Sequence, residues 1–597
     1  MKRNGWNEEL SPGNHHARTP SRGDVSISDA GSNFGLALGL GGLGGPEGVK
    51  LTRSRRIVLT MQGFIREFCA NTSIHGVKYL GERRRSTTER LWWIIVFIAS
   101  LSMCGILIMK VWHKWDSSPV IVSFAEKTTP VWQVPFPAVT ICSENKARQS
   151  VFNFTEAFHQ RAEDLNMTDY EYEMLTTISL VCDRHLIQFG NKLANSSVVD
   201  KLLEVAPEFD EMMFHCKWKN SPGNCTTLFS RIVTEEGVCY TFNMLDANEL
   251  LRVEALHEDY SYLSHGKESR GWTLETGYPA DAASDTYPQR GLGAGAKAGL
   301  TILLRAYEHD LDYLCKGPVQ GFKVLLHHPA EIPQLSRQYF RVPLNQEVVV
   351  AVKPNMMTTA EGLRYYSAHR RQCYFPLERK LRFYKVYTQS NCELECLANF
   401  TLQKCGCVEF SMPRTSDMQV CGSGSTECFT TSEDELLARE IAQELRSSSS
   451  LGSSPETGRT ECDCLPACTS IQYEAELSQA DFDWARLFMA FKANFSEMPN
   501  VTMARVSIFF KEAQFITSRR SELYGPVDFL ANCGGLMGLF MGVSLLSIIE
   551  IFYFITMRPL CTVRLHKERV RRHEARNNAL LGMGSVDIRV SPEKKPL

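Results

Sequence analysis

The residues that could do chemistry lie in an apolar stretch near the C-terminal end of the chain. Four small residues there are spaced by four, three and four positions, so on a helix they share one face. They are Ala531, Gly535, Gly538 and Gly542. Such a face lets helices pack closely, and it equally lets a pore wall leave room for ions. Glu550 is the one charged residue between Phe529 and Met557, and a carboxylate in a membrane span usually faces water or a partner. This favours the pore interpretation.

The elements that must hold this stretch in place are two membrane spans. Leu91–Met109 carries no charge and begins with a Trp pair, which is typical of a transmembrane helix with an interfacial anchor. Basic residues precede the first span and follow the second. Because positive charge marks the cytoplasmic side, we expect both termini in the cytosol of a multi-pass plasma-membrane protein. The bilayer is therefore an expected partner. The net charge of −2 does not favour binding to nucleic acid.

These patterns divide the chain into six segments. They are a disordered cytoplasmic N-terminus (1–50), a cytoplasmic segment before the first span (51–90), the first span (91–111), an extracellular domain (112–525), the second span (526–557) and a cytoplasmic tail (558–597). Two features of the central segment favour an extracellular location. It holds sixteen of the 20 cysteines, an even number, as an oxidising compartment requires. It also holds seven N-x-S/T sequons, which we predict to be glycosylated: Asn153, Asn166, Asn195, Asn224, Asn399, Asn494 and Asn500.

Short apolar or alternating runs in the extracellular segment predict β-strands. They are Val120–Phe124, Ala138–Cys142, Gly299–Leu304, Gly321–His327 and Glu347–Val352. Helices are predicted at Asp200–Val205 and Asp481–Ala493, and Glu433–Ser454 reads as a charged helix that runs into a serine-rich insert. The fold class is therefore α+β. Ten cysteines lie between Cys373 and Cys468, and without interleaved histidines they favour five disulfides over zinc ligation, so no metal site is expected. Their pairing does not follow from spacing.

Several motifs occur together in one order: Ser73–Gly76, Phe136–Cys142, Gly237–Phe242, Gly321–His327, Cys462–Cys468 and Gly542–Ser544. In these motifs the chain resembles the degenerin/epithelial sodium channel family from end to end, and the insect pickpocket branch most of all. The resemblance implies a trimer with two transmembrane helices that flank a disulfide-rich extracellular domain of palm, knuckle, β-ball, finger and thumb.

The family's pairing also implies how the cysteines are bonded. It gives a thumb ladder over 373–468 of Cys373–Cys468, Cys392–Cys464, Cys396–Cys462, Cys405–Cys428 and Cys407–Cys421, and a bond Cys142–Cys239. We expect Cys216–Cys225 as a local bridge, which leaves Cys182 to pair with Cys315.

The resemblance further implies roles for pore residues. Gly542, Val543 and Ser544 would break the second span into a short extended selectivity filter, and Gly538 and Glu550 would line the pore. By the same comparison Ala531 matches the outer gate, Gly535 the site of the pore blocker amiloride, and His75-Gly76 a cytoplasmic gating motif. The permeant sodium ion is then the only small species required, with no cofactor. Tyr553 stands where many relatives carry an Asp, which leaves the charge of the inner vestibule open.

The expected function is a sodium-selective, amiloride-sensitive channel subunit gated through its extracellular domain, in sensory signalling or epithelial sodium transport. An ectoenzyme is disfavoured, because the loop contains no GxSxG, no HExxH and no other compact catalytic set. The better alternative is a non-conducting auxiliary subunit or an adhesion or receptor protein that modulates a related channel. The stimulus, including any extracellular ligand, and the choice between a homotrimer and a heterotrimer stay open at this stage.

Overall fold

The computed structural model describes residues 63–82, 85–117, 120–187, 190–195, 197–449, 462–492 and 500–582. The predicted disordered segment 1–50, most of the serine-rich insert, Asn494 and the end of the tail lie outside these residues. The chain forms two compact units. One comprises the residues up to Ser100 together with those from Met541 onward, and the other comprises Leu101–Phe540.

Helices occur in both units. They are α1 (63–71), α2 (Val77–Gly81), α3 (Thr87–Ser117), α4 (Phe154–Ala162), α5 (Asp169–Ile178), α6 (Val198–Val205), α7 (Phe209–Met212), α8 (Cys225–Leu228), α9 (Ala247–Leu250), α10 (Ala368–Arg371), α11 (Gln389–Cys405), α12 (Thr426–Ser449), α13 (Trp484–Ala490), α14 (Pro526–Met541), α15 (Leu545–Ile555) and α16 (Met557–Gly582). By length and composition, α3 and the run Leu545–Asn578 are long and apolar enough to cross a membrane.

The strands lie in the larger unit. They are β1 (Val120–Phe124), β2 (Thr129–Pro130), β3 (Ala138–Ser143), β4 (Met213–Trp218), β5 (Ser221–Gly223), β6 (Phe229–Thr234), β7 (Gly237–Phe242), β8 (Leu300–Tyr307), β9 (Gly321–His327), β10 (Phe340–Pro343), β11 (Gln346–Thr359), β12 (Ser470–Asp481), β13 (Val501–Phe510), β14 (Gln514–Phe515) and β15 (Ser518–Glu522).

These strands form two main sheets. The larger has the order β1-β15-β11-β13-β8-β4-β5, with β12 also paired to β11, and the smaller has the order β10-β9-β3-β7-β6. Strand β11 alternates buried and partly exposed residues, so Val348, Val350 and Val352 point into the core. Residues of both sheets share that core. Within it the ring of Phe136 packs edge-on against Phe510 at 5.3 Å between centroids. The fold is thus mixed α/β, with helices around the β core.

The predicted elements agree with the structure in most places and differ at their ends. Strands β1 and β9 have the predicted bounds, whereas β11 continues seven residues past the predicted end at Val352. The predicted helix Asp481–Ala493 is wrong at its start, because Asp481 is the last residue of β12 and still pairs with Gln346. Helix α12 begins at Thr426, before the charged segment that predicted it. The pattern of apolar residues in the sequence does not show where a helix starts early, nor where backbone pairing with a neighbouring strand makes a strand longer.

Eight disulfides cross-link the larger unit. They join Cys142–Cys239, Cys182–Cys315, Cys216–Cys225, Cys373–Cys468, Cys392–Cys464, Cys396–Cys462, Cys405–Cys428 and Cys407–Cys421. Six of these pairs are those that the family resemblance implies, and Cys216–Cys225 and Cys182–Cys315 are the two expected besides them. Cys392 and Cys396 lie one turn apart on α11 and bond Cys464 and Cys462, so this helix is tied twice to one short segment. Helix α11 is also bonded to α12 through Cys405 and Cys428. These bonds restrict the unfolded chain and so stabilise the folded state of this region.

Candidate functional site

The apolar stretch that contains the small residues breaks into separate helices. Helix α14 ends at Met541 and α15 begins at Leu545, so Gly542, Val543 and Ser544 are not helical. The helical part of the small-residue stripe therefore ends before Gly542, at the break that the family resemblance implies. Its φ of +64° lies in the left-handed region, where a residue with a Cβ is strained.

Ser544 begins the next helix by capping it. Its backbone is extended, and its hydroxyl accepts a hydrogen bond from the backbone N–H of Ser547 at 3.3 Å. In return the Ser547 hydroxyl accepts from the Ser544 backbone N–H at 3.1 Å. This reciprocal cap satisfies donors that a helix start leaves unpaired. It fixes where the break ends.

His75 lies directly against the break. Its backbone N–H donates a hydrogen bond of 3.0 Å to the carbonyl of Met541, and Met541 is the last residue of α14. A Cβ placed on Gly542 would lie 2.3 Å from Nδ1 of His75. Gly542 is thus required twice, by its backbone conformation and by the close approach of the imidazole ring. The structure brings together His75 and Gly542, which the sequence analysis singled out separately.

Ser73 connects the same N-terminal segment to Glu550. Its backbone N–H and its hydroxyl both donate to Oε2 of Glu550, at 3.1 and 3.0 Å. The Ser73 hydroxyl also lies 2.7 Å from that of Ser547, which is fully buried. Because Ser73 donates to the carboxylate, Ser547 is the donor between the two hydroxyls. Hydrogen bonds to a charged group are the stronger kind, so they offset part of the cost of placing Glu550 in an apolar helix.

Neither Ser73 nor Ser547 was assigned a role from the sequence. Ser547 stands three residues after Ser544, and this spacing is a signal for a helix cap. Ser73 belongs to the His-Gly motif that the sequence analysis quoted, but its partner Glu550 lies 477 residues away. No local pattern reveals such a contact.

Helices α1 and α2 are anchored beside the break. Glu67 on α1 pairs with Arg558, and the rings of Phe68 and Phe554 meet edge-on at 5.4 Å. After α1 the chain turns at Gly76, whose φ of +87° again favours glycine. The ring of Tyr79 on α2 then stacks on that of Trp93 at 4.4 Å. The segment that carries Ser73 and His75 is therefore held at both ends.

The small residues of α14 lie on an open face. Ala531, Gly535 and Gly538 are exposed in the single chain, and a Cβ on Gly535 would meet no described atom within 4 Å. Among the described residues, no helix of the same chain packs on this stripe at Gly534 or Gly535. The stripe is therefore free to line a water-filled path or to face another copy.

The start of α14 contacts α3, and the end of α3 in turn contacts α10. The indole N–H of Trp115 on α3 donates to the carbonyl of Tyr524 at 3.2 Å, and its ring lies 5.5 Å from that of Phe529 on α14. Arg370 on α10 places its guanidinium 4.9 Å from the centre of the Trp115 ring and pairs with Asp116 at 3.1 Å. One arginine thus links the disulfide-bonded region to the end of α3.

Comparison with known proteins places these features in context. The family model described as "Amiloride-sensitive sodium channel" matches residues 68–554. Pickpocket protein 28 of Drosophila melanogaster is 30% identical over 85% of this chain and 80% of its own length. Sodium channel protein Nach of the same organism is 23% identical over 82% of this chain and 86% of its own. Acid-sensing ion channel 2 of Rattus norvegicus is 25% identical over 81% of this chain and 85% of its own length.

Proposed function

Because this chain belongs to the amiloride-sensitive sodium channel family, also called the degenerin/epithelial sodium channel family, we propose that it forms the sodium-selective pore of a trimeric channel. The family consists of membrane ion channels, not enzymes, and its channels assemble as oligomers of subunits. A closed ring of copies is what a pore needs, since one helix cannot enclose a water-filled path. We place the channel in the plasma membrane with both termini cytoplasmic, in sensory signalling or epithelial sodium transport.

The observation that carries this proposal is the non-helical break at Gly542–Ser544. In a ring of copies, such a break brings backbone carbonyls and the Ser544 hydroxyl to the axis, where they replace the hydration water of an ion. The exposed stripe of α14, which precedes the break in the chain, supports a pore wall. Glu550, which follows the break, supplies a carboxylate that attracts cations, although two hydrogen bonds from Ser73 already engage one of its oxygens.

The remaining assignments follow the same proposal. The domain 112–525 would be divided into palm, knuckle, β-ball, finger and thumb, and its movements would open the pore. Ala531 would form the outer gate and Gly535 the amiloride site, both on the exposed face of α14. The sequons at Asn153, Asn166, Asn195, Asn224 and Asn500 are exposed and remain predicted glycosylation sites, whereas Asn399 is half-buried on α11 and Thr401 of its sequon is fully buried.

The direct test is whole-cell current from cells that express this chain. We expect an inward current that amiloride blocks and that disappears when external sodium is replaced by a large organic cation. Ser544→Ala should change the sodium-to-potassium permeability ratio at unchanged surface level, because it removes the filter hydroxyl. The matched control is Ser86→Ala, an exposed serine far from the break in the chain.

A second outcome would support the rival function. A non-conducting auxiliary subunit would reach the surface and pass no current alone, yet it would change the current of a co-expressed relative. In that case Ser544→Ala would leave the partner's reversal potential unchanged. This pattern would overturn the proposal that the chain lines a selective pore.

A further inference from the structure

One side of α3 carries an open groove. Its volume is about 710 Å³, and its lining comes from a single face of the helix: Ser102, Gly105, Ile106, Met109, Lys110, His113, Lys114 and Ser117. The first half of this lining is small or apolar, and the second half carries three basic side chains. A Cβ on Gly105 would meet no described atom within 4 Å, so the floor of the groove is uncovered.

The groove points away from the contacts that α3 makes with α14. Cys104 is the buried residue of α3, at 3% exposure, and Trp112 and Trp115 contact Phe529 of α14. At about 100° per residue Cys104 and Trp115 lie on the side of the helix opposite the middle of the groove, and Trp112 lies next to its Gly105 edge. Within this unit the groove therefore faces outward, where a membrane protein meets lipid.

The basic residues lie at the depth of a lipid headgroup. The uncharged stretch Leu91–Met109 measures about 28 Å as a helix, close to the thickness of the hydrocarbon layer, so Lys110 falls at its edge. Lys114 faces the ring of Tyr524 at 5.3 Å, and neither Lys110 nor His113 forms an ion pair with a described residue. Exposed cations at the edge of the hydrocarbon layer can form charge-assisted hydrogen bonds to a lipid phosphate.

We propose that this groove binds an acidic phospholipid, with the phosphate at Lys110, His113 and Lys114 and one acyl chain along Ser102, Gly105 and Ile106. The basic side chains select an acidic headgroup, and the small side chains leave room for the acyl chain of the lipid. The proposal requires only that α3 spans a bilayer. It does not depend on ion conduction.

The test is native mass spectrometry of the full chain, purified in detergent with equal amounts of palmitoyl-oleoyl phosphatidylglycerol and phosphatidylcholine. We expect the wild type to retain the acidic lipid preferentially. Each lysine near a charged headgroup contributes about fivefold, so Lys110→Gln with Lys114→Gln should reduce the preference by more than tenfold. Lys353→Gln, at an exposed lysine on β11, is the matched control and should change nothing.

A second variant tests the acyl slot independently of charge. Gly105→Leu fills the groove without meeting a described atom, so it should reduce retention of both lipids while the oligomer keeps its mass. Equal preference for the two lipids in the wild type would overturn the proposal. So would a change of oligomeric mass in Gly105→Leu with lipid retention intact, because the face would then be a contact between subunits. Lipid retention and oligomeric mass are both measured without recording current, so the lipid proposal can fail or hold whether or not the chain forms the proposed pore.

Discussion

The hydroxyl of Ser73 donates a hydrogen bond of 3.0 Å to the carboxylate of Glu550, and so joins the segment before α3 to α15, the helix after the break at Gly542–Ser544. This contact predicts energetic coupling between the two residues. Hydrogen bonds to charged groups are worth about 1.5–3 kcal/mol. We expect Ser73→Ala and Glu550→Gln each to shift the open probability, and the double variant to shift it by less than their sum. Single-channel recording measures all three, and strictly additive shifts would show that the contact does not differ between the closed and open states.

Gly542 should tolerate no side chain. Gly542→Ala places a Cβ 2.3 Å from the His75 ring and adds a left-handed backbone strain of about 1–2 kcal/mol. We expect loss of current or of sodium selectivity at normal surface level. Gly534→Ala is the control, since its Cβ meets no described atom within 4 Å. Adding His75→Ala should restore part of the function, because it removes the overlap between the new Cβ and the His75 ring but leaves the backbone strain at residue 542. If the double variant shows no recovery, the overlap with His75 is not the cause of the defect.

Ala531 tests the proposed outer gate. Ala531→Val adds two carbons per subunit on the exposed face of α14, where a closed gate would bring the copies together. Overpacking costs about 1–3 kcal/mol and would fall mainly on the closed state. A bias of about 2 kcal/mol raises the open-to-closed ratio roughly thirty-fold. Large resting sodium currents are expected, and a wild-type resting current from a variant at the surface would exclude this gate position.

Glu236 should be essential for stability of the larger unit. Its carboxylate lies 2.7 Å from Nζ of Lys146 and 2.6 Å from Nζ of Lys323, and both lysines are buried. Burial alone would raise the pKa of Glu236, but Lys146, Lys316 and Lys323 outweigh it and hold this pKa well below its usual range. Glu236→Gln removes the nearest carboxylate of both buried lysines, so we expect a loss of about 3–5 kcal/mol.

Thermal unfolding of the purified chain measures this loss. The control is Glu476→Gln, which removes an exposed pair with Lys511 and should cost at most about 1 kcal/mol. Because the folded-state pKa of Glu236 is depressed, its contribution is complete above the unfolded-state pKa of about 4.3 and is lost as the pH falls below that value. A variant as stable as the control at pH 7 would contradict this account.

The stability contribution of Glu409 should depend on pH in the direction opposite to that of Glu236. Burial, together with the nearby carboxylates of Glu235 and Glu433 and against Arg184, raises the pKa of Glu409 to about 8. The folded chain therefore holds a proton that the unfolded chain releases near pH 4.5, and stability falls as the pH rises from about 5 to 8. Glu409→Gln should remove part of that fall. We expect the melting temperatures of wild type and variant to diverge with increasing pH; parallel curves would refute the buried carboxyl.

Much of the architecture could be predicted from local sequence. The apolar run Leu91–Met109 lies inside α3, and β9 has its predicted bounds, because hydropathy and alternation report directly on burial. The filter break was anticipated only through family resemblance, since Gly542 fits a helical stripe equally well. The contacts of Ser73 and the cluster around Glu236 could not be predicted. They join residues far apart in the chain, and a single sequence carries no record of such pairs.

The pairing of β1 with β15 has a consequence for biosynthesis. Val120 pairs with Glu522, so the first strand of the larger sheet is synthesised about 400 residues before its partner. At about 5–20 residues per second the ribosome needs roughly 20–80 s to cover that distance. During this time β1 lacks its partner strand, because β15 is the strand that β1 pairs with in the sheet. This edge of the sheet therefore forms only after almost the whole larger unit has been synthesised.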